Sequence, residues 1–185
     1  MSRKSCINAN MAFTDVFISD IITILFKEGS DDFWKCLKYA STDALTNPSY
    51  TINVVDKYNM IKQNADLTRI KRLKFNNDIT GEAHSEIRIF EFKWVESEPR
   101  LIDLEIGFEV ISHNDIIILD GTGYSRLNVF RNEILRLLRN RVIENDQGKP
   151  NGNIGELSAL GAVGGIVSYN NGFQGYQFSL MGTST

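Results

Sequence analysis

The chain has 185 residues, enough for one domain with a substantial core and too few for two full domains. With 42% hydrophobic and 23% charged residues it has the composition of a globular protein, and no apolar run approaches the ~20 residues of a membrane span, so no membrane protein is expected. The net charge of −3 divides into 14 basic and 14 acidic groups in residues 1–100 and 6 and 9 in residues 101–185, so neither part is basic enough to imply nucleic-acid binding from bulk charge.

At the N-terminus, Arg3 and Lys4 are followed by Ile7-Asn8-Ala9-Asn10, too polar for a signal-peptide core, and the protein is expected to stay in the cytoplasm where it is made. Cys6 and Cys36 are the only cysteines, which excludes a disulfide framework, and only His84 and His113 could join them at a metal. Neither metal nor cofactor is expected.

Phe13, Phe17, Ile21, Ile24 and Leu25 recur at helical spacing between Phe13 and Lys27, which predicts a core helix. A second helix is predicted from the capping run Ser30-Asp31-Asp32 to about Leu45, before Asn47-Pro48, and the two make a helical hairpin over residues 1–48. From residue 49 to 84 the pattern weakens, with a turn signal at Asn76-Asn77-Asp78. This stretch reads as an extended arm or long loop.

Residues 85–185 read as a sheet, a long helix and a C-terminal hairpin. "EIRIFEFKWV" is a strand whose phase becomes ambiguous near Phe90, and a turn at Ser97-Glu98-Pro99-Arg100 follows. The next strand alternates cleanly, with Ile102, Leu104, Ile106, Phe108 and Val110 on one face and Asp103, Glu105, Gly107 and Glu109 on the other. Ile116 to Leu119 then reads as a short strand that leads through Gly121 and Gly123 into an amphipathic helix. Asn145 to Asn153 is loop, and Asn171-Gly172 supplies the turn of the last hairpin. The expected fold is a single α/β domain of the α+β kind, a mostly antiparallel sheet packed against amphipathic helices.

Strand, glycines and helix in that order suggest a nucleotide site. Yet Gly121-Thr122-Gly123-Tyr124-Ser125-Arg126 lacks both the third glycine of a dinucleotide turn and the lysine of a P-loop, so it reads as a tight turn with Ser125 as helix cap. Arg126 is expected to meet an acidic group such as Asp120, or a neighbouring subunit. In the helix itself Leu127, Phe130, Ile134, Leu137 and Leu138 share a face opposite Arg136 and Arg139, and Arg131 projects into the apolar arc. It is expected to meet a carboxylate or subunit boundary, or else to snorkel to the rim.

Asp103, Glu105 and Glu109 could perform acid–base chemistry or hold Mg²⁺, but read better as a solvated face. Arg69-Ile70-Lys71-Arg72-Leu73-Lys74 could touch nucleic-acid phosphate or complement an acidic neighbour. His84 and His113 look like loop residues, and Ser125 has no base near it in sequence.

The succession "IRIFEF", "LEIGFEVISHNDIIIL", a glycine, "SRLNVFRNEILRLL" and "GFQGYQFSL" resembles the tail-completion and head–tail joining proteins of tailed bacteriophages, especially the tail-terminator-like group. The resemblance covers about the last 100 residues. It implies a structural virion protein without enzymatic activity, assembled in the host cytoplasm as a homo-oligomeric ring, hexamer or dodecamer, at the neck or tail end. Its partners would be its own copies and adjoining portal, neck or tail-tube and sheath proteins, with genome DNA passing through the ring. A ring subunit needs complementary charge on different sides. The candidates for that interface are Arg131, Arg136 and Arg139 on the helix, Asp103, Glu105 and Glu109 on the acidic strand, and Arg69, Lys71, Arg72 and Lys74 in the basic segment. The alternatives are a nucleic-acid-binding module using Arg69 to Lys74 and a small enzyme at the glycine turn or the acidic strand.

Overall fold

The structure is a computed structural model that describes residues 3–63, 65–72, 79, 81–98, 101–144, 148–150, 154–159 and 164–183. Four helices are described: α1 (Arg3–Glu28), α2 (Asp31–Lys38), α3 (Val54–Ile61) and α4 (Arg126–Leu138). The strands β1 (Ile70–Lys71), β2 (Ser85–Glu98), β3 (Leu101–His113), β4 (Gly165–Ser168) and β5 (Phe173–Thr183) form one sheet in the order β1-β2-β3-β5-β4. Every pairing is antiparallel except that of β1 with β2. The fold is the α+β arrangement expected.

Alternation sets the register. Ile87 pairs with Val110 and Ile89 with Phe108, while Phe108 pairs with Phe178 and Ile106 with Leu180, so one face of three strands is continuously apolar. Against it lie Phe17, Ile21 and Leu25 of α1, Phe33 and Leu37 of α2, and Phe130, Ile134 and Leu138 of α4, all within one buried cluster. The ambiguous phase near Phe90 has a physical cause: the register shifts between Glu91 and Lys93, where a bulge adds a residue and changes which face the following residues share. Before the bulge, Phe90 lies on the sheet's other face, over Gly107, where a Cβ would come within 2.5 Å of the ring.

Three expected elements differ. α2 ends at Lys38 rather than near Leu45, and turns follow to Thr46, because the Cys36 carbonyl, which a further helical turn would use, accepts from Arg126 instead. The expected arm at 49–84 contains α3 and β1. A capping box holds the start of α3, with the Asn53 side chain bonded to the Asp56 amide and the Asp56 carboxylate to the Asn53 amide. Finally, Ile116 to Leu119 is not a strand but a 3-10 turn at Asn114–Ile116 followed by a single bridge between Ile118 and Ser125. Ile116 and Leu119 are buried and Ile118 is exposed, a spacing that suits a turn.

Asn171 and Gly172 make the last hairpin's turn with φ of 61° and 79°, left-handed values that Asn and Gly tolerate. The predicted turn at Asn76-Asn77-Asp78, Pro99 and Arg100 of the earlier turn, and most of the Asn145 to Asn153 loop lie outside the described residues. No helix among the described residues is long and apolar enough to cross a membrane.

Gly107→Val should lower the melting temperature by displacing the Phe90 ring, at a cost of about 1–3 kcal/mol, whereas Gly123→Ala meets no neighbouring atom and should act only through backbone strain. Thermal melts of both variants check this; an undisturbed Gly107→Val protein would mean that Phe90 does not cover that strand.

Candidate functional site

The turn before α4 is closed by hydrogen bonds within the fold. Ser125 caps the helix, accepting from the Leu127 amide, as expected. Arg126 does not meet Asp120. Its side chain is fully buried and donates Nε to the Ile116 carbonyl at 2.7 Å, Nη1 to the carbonyls of Cys36 at 2.5 Å and Tyr39 at 2.9 Å, and Nη2 to that of Ser41. Asp120 instead accepts from the Thr42 hydroxyl at 2.5 Å. The amides of Leu119, Asp120, Gly123, Tyr124 and Arg126 are bonded within the fold, to Tyr124 O, Thr42 O, Leu119 O, Thr122 Oγ1 and Ile117 O. A phosphate cradle needs amides converging on empty space; these have acceptors already. Burial holds the Arg126 pKa below the ordinary guanidinium value and pushes the neighbouring Cys36 thiol up to about 11.

The acidic strand and the basic segment meet inside the molecule. Glu109 is not on a solvated face: it is 3% exposed and paired with Arg88 at 3.2 Å. Arg88 also bonds Glu86 at 2.7 Å, and Glu86 bonds Lys71 at 2.5 Å and has His84 at 3.5 Å. The register brings them together, since Arg88 is paired with Lys71 of β1 on one side and with Glu109 of β3 on the other. Burial alone would raise the Glu86 pKa, but hydrogen bonds from His84 and Lys71 and the Arg88 charge outweigh it and hold the carboxyl at about 2. The Tyr169 ring lies over the Arg88 guanidinium at 5.7 Å. Among the described residues its buried hydroxyl finds no well-formed hydrogen bond, and burial with the adjacent Glu109 carboxylate pushes its pKa up.

The other expected interface groups are distributed differently. Asp103 and Glu105 accept from hydroxyls of β5, Thr183 at 2.8 Å and Ser179 at 2.5 Å, rather than from arginines. Arg131 is partly exposed and meets no carboxylate among the described residues; its guanidinium lies 5.0 Å from the centre of the Tyr176 ring, within cation–π range. Arg136 pairs with Glu133 at 2.9 Å, and Arg139 is the exposed C-cap of α4. Arg69 lines a hollow of about 240 Å³ beside α3 with Lys38, Tyr39, Asp56, Met60 and Leu67. Arg72 has a buried Nε without a hydrogen-bond partner among the described residues, and Lys74 lies outside them. His84 and His113 are more than loop residues, since both rings stand edge-on to Phe173, at 5.0 and 4.9 Å.

Sequence reasoning did not single out Glu86, Arg88 and Tyr169. The first two had a signal, because they alternate with Ile87 and Ile89 in "EIRIF"; Tyr169 had none. It also missed two surfaces. α3 buries Met60 but exposes Val54, Val55 and Tyr58, and the β2–β3 hairpin exposes Phe92 and Val95. Among the described residues β1 pairs only with Ile87 and Arg88, and no strand pairs with the outer edge of β2 beyond them. No group of three or more His, Cys, Asp or Glu side chains among the described residues could hold a metal ion.

The molecule is therefore an α+β domain with one helix-covered sheet face, a buried ion network on the other and a long hairpin whose outer edge beyond Arg88 has no partner strand among the described residues. A family model described as YomW matches residues 30–180, from the cap of α2 to β5, and the chain belongs to the YomW family. No curated protein and no solved structure matches it.

Arg126→Met should be the most destabilising arginine substitution, by about 3 kcal/mol or more, because buried carbonyls left without donors cost about 1–3 kcal/mol each. Arg131→Ala should cost about 0.5–1 kcal/mol through the lost ring contact, and Arg139→Ala almost nothing. Denaturant titrations of the three variants test that order.

Glu86 carries a pH prediction. Its folded pKa lies below the ordinary 4.5, so its stabilising contribution is complete above about pH 4.5 and is lost as the pH falls from there through about 2. Glu86→Gln should lower the melting temperature at neutral pH and flatten its decline over that acid window. An equally steep decline in the variant would assign the acid sensitivity to other carboxylates.

Proposed function

We propose that this chain is a structural protein of a phage or prophage virion, a subunit that assembles with its own copies into a ring at the head–tail junction or tail end and joins neck and tail components. Membership of the YomW family supports a phage-related origin. The observation that carries the assembly reading is the β2–β3 hairpin. Its register runs from Ser85 and Ser112 out to Glu98 and Leu101, and beyond Arg88 its outer edge has no described partner strand. An edge strand in general presents unpaired backbone donors and acceptors, which proteins cover or use for association. Exposed Phe92 and Val95 add side-chain contact on the same element.

The enzyme reading has less support, since the glycine turn is bonded internally and Glu109 is an ion-network member. The nucleic-acid reading is weakened because Lys71, central to the basic segment, neutralises Glu86. The reading favoured here needs no cofactor or small-molecule substrate, and places the protein in the virion with genome DNA passing through the ring.

Purified protein should form oligomers at micromolar concentration, or on co-expression with portal, neck or tail-tube proteins, visible as discrete masses by mass photometry and as rings by negative-stain microscopy. A protein that stays monomeric and joins none of those components would remove this proposal.

A further inference from the structure

Helix α3 has two apolar sides. Met60 is buried, and Val54, Val55 and Tyr58 lie on the opposite arc at 68%, 66% and 55% exposure, where an amphipathic surface helix would carry polar residues. Leu67, 57% exposed, follows in the next turn and lines the adjoining hollow. At a second place, Phe92 and Val95 of β2 are 54% and 37% exposed. They stand four and seven residues beyond Arg88, the residue of β2 that pairs with β1, which is roughly 13 and 23 Å along the strand.

The two places carry opposite charge. With Lys71 set aside because it neutralises Glu86, residues 53–72 contain Lys57, Lys62, Arg69 and Arg72 against Asp56 and Asp66, a formal +2. The described side chains of residues 91–105 include Glu91, Asp103 and Glu105 against Lys93, a formal −2. Each surface thus has the apolar centre and the charge that the other lacks. Within one chain the two stay apart, as the exposure of both shows. Between copies they can meet.

We propose that the exposed face of α3, with the hollow between it and Arg69, receives Phe92 and Val95 of the β2–β3 hairpin of a second copy of this chain. The contact is head-to-tail: it joins different surfaces of the two copies and leaves one of each free for further copies, so repetition gives a ring or a filament. Opposite net charge brings the surfaces together and fixes which meets which, while the apolar side chains supply the buried area. The inference rests on the assembly reading above and names the contact that makes the assembly.

The test uses two full-length variants with substitutions at exposed positions, Val55→Glu and Phe92→Glu, whose melting temperatures should match the wild type. Analytical ultracentrifugation should find each variant alone monomeric at concentrations where the wild type associates, with self-affinity reduced at least tenfold. Mixed in equal amounts, they should form a one-to-one dimer and stop there, because the intact α3 face of the Phe92→Glu chain accepts the intact hairpin of the Val55→Glu chain and no second contact remains. Wild-type oligomers unaffected by either substitution would overturn this contact while leaving the ring reading standing. A mixture that stays monomeric, or continues beyond the dimer, would overturn the head-to-tail pairing. Wild-type protein that is monomeric alone but uses these two surfaces to bind a co-expressed virion protein would replace the second copy with that partner.

Discussion

The arrangement of the helices depends on one buried cation. Arg126 is the first residue of α4, and its guanidinium reaches across to the carbonyls at the end of α2, to Ser41 beyond it and to Ile116 before the glycine turn. No carboxylate among the described residues pairs with it directly, and Asp43 acts on it only from a distance. The Arg126 charge opposes the positive N-terminal end of α4 but faces the negative C-terminal end of α2, where unpaired carbonyls concentrate. A lysine could not take its place, since one ammonium cannot present a planar fork to four acceptors on three segments. The same bonds stop α2, shape the turns after it and dock the start of α4, which lets Phe130, Ile134 and Leu138 reach β3.

The sheet's two faces solve different problems. On the helix side, burial is apolar and the register only has to keep like with like. On the other side, β2 and β3 place Glu86, Arg88 and Glu109 under cover, where charge is tolerable only if each group is paired. Lys71 and Arg88 against Glu86 and Glu109 give two charges of each sign. That balance ties β1 to β2 by more than its two paired residues, and so positions α3, whose Met60 carbonyl accepts from the Arg69 amide just before β1.

Much of this was legible in the sequence where a single element carries its own signal. The alternation of β3, the stripes of α1 and α4, the Ser125 cap and the Asn171-Gly172 turn each depend on residues close in the chain, and the structure has them. What failed depended on distant partners. Glu109 looked solvated because its strand was read alone, without the Arg88 that the register sets beside it. α2 looked longer because the guanidinium that takes its last carbonyls comes from 90 residues away. α3 was missed for another reason, since only Met60 is fully buried and no apolar stripe marks it. Its capping pair, Asn53 and Asp56, was present in the sequence, but three residues of spacing without an apolar run is a weak sign.

The internal use of charge also bears on where contacts with other molecules can form. Arg136 is held by Glu133, Arg141 by Glu28, Lys71 by Glu86, and Asp103 and Glu105 by hydroxyls of β5. Recruiting any of these to an interface means first giving up a bond inside the subunit, so the charged residues that seemed natural for a ring have little net energy to contribute. The exposed side chains on α3 and the hairpin need no such exchange, because they lie open to solvent. Burying them gains hydrophobic free energy without breaking a contact inside the fold. Charge near them then acts through orientation and rate of encounter rather than strength, which is the role that opposite net charge on two separate surfaces serves best.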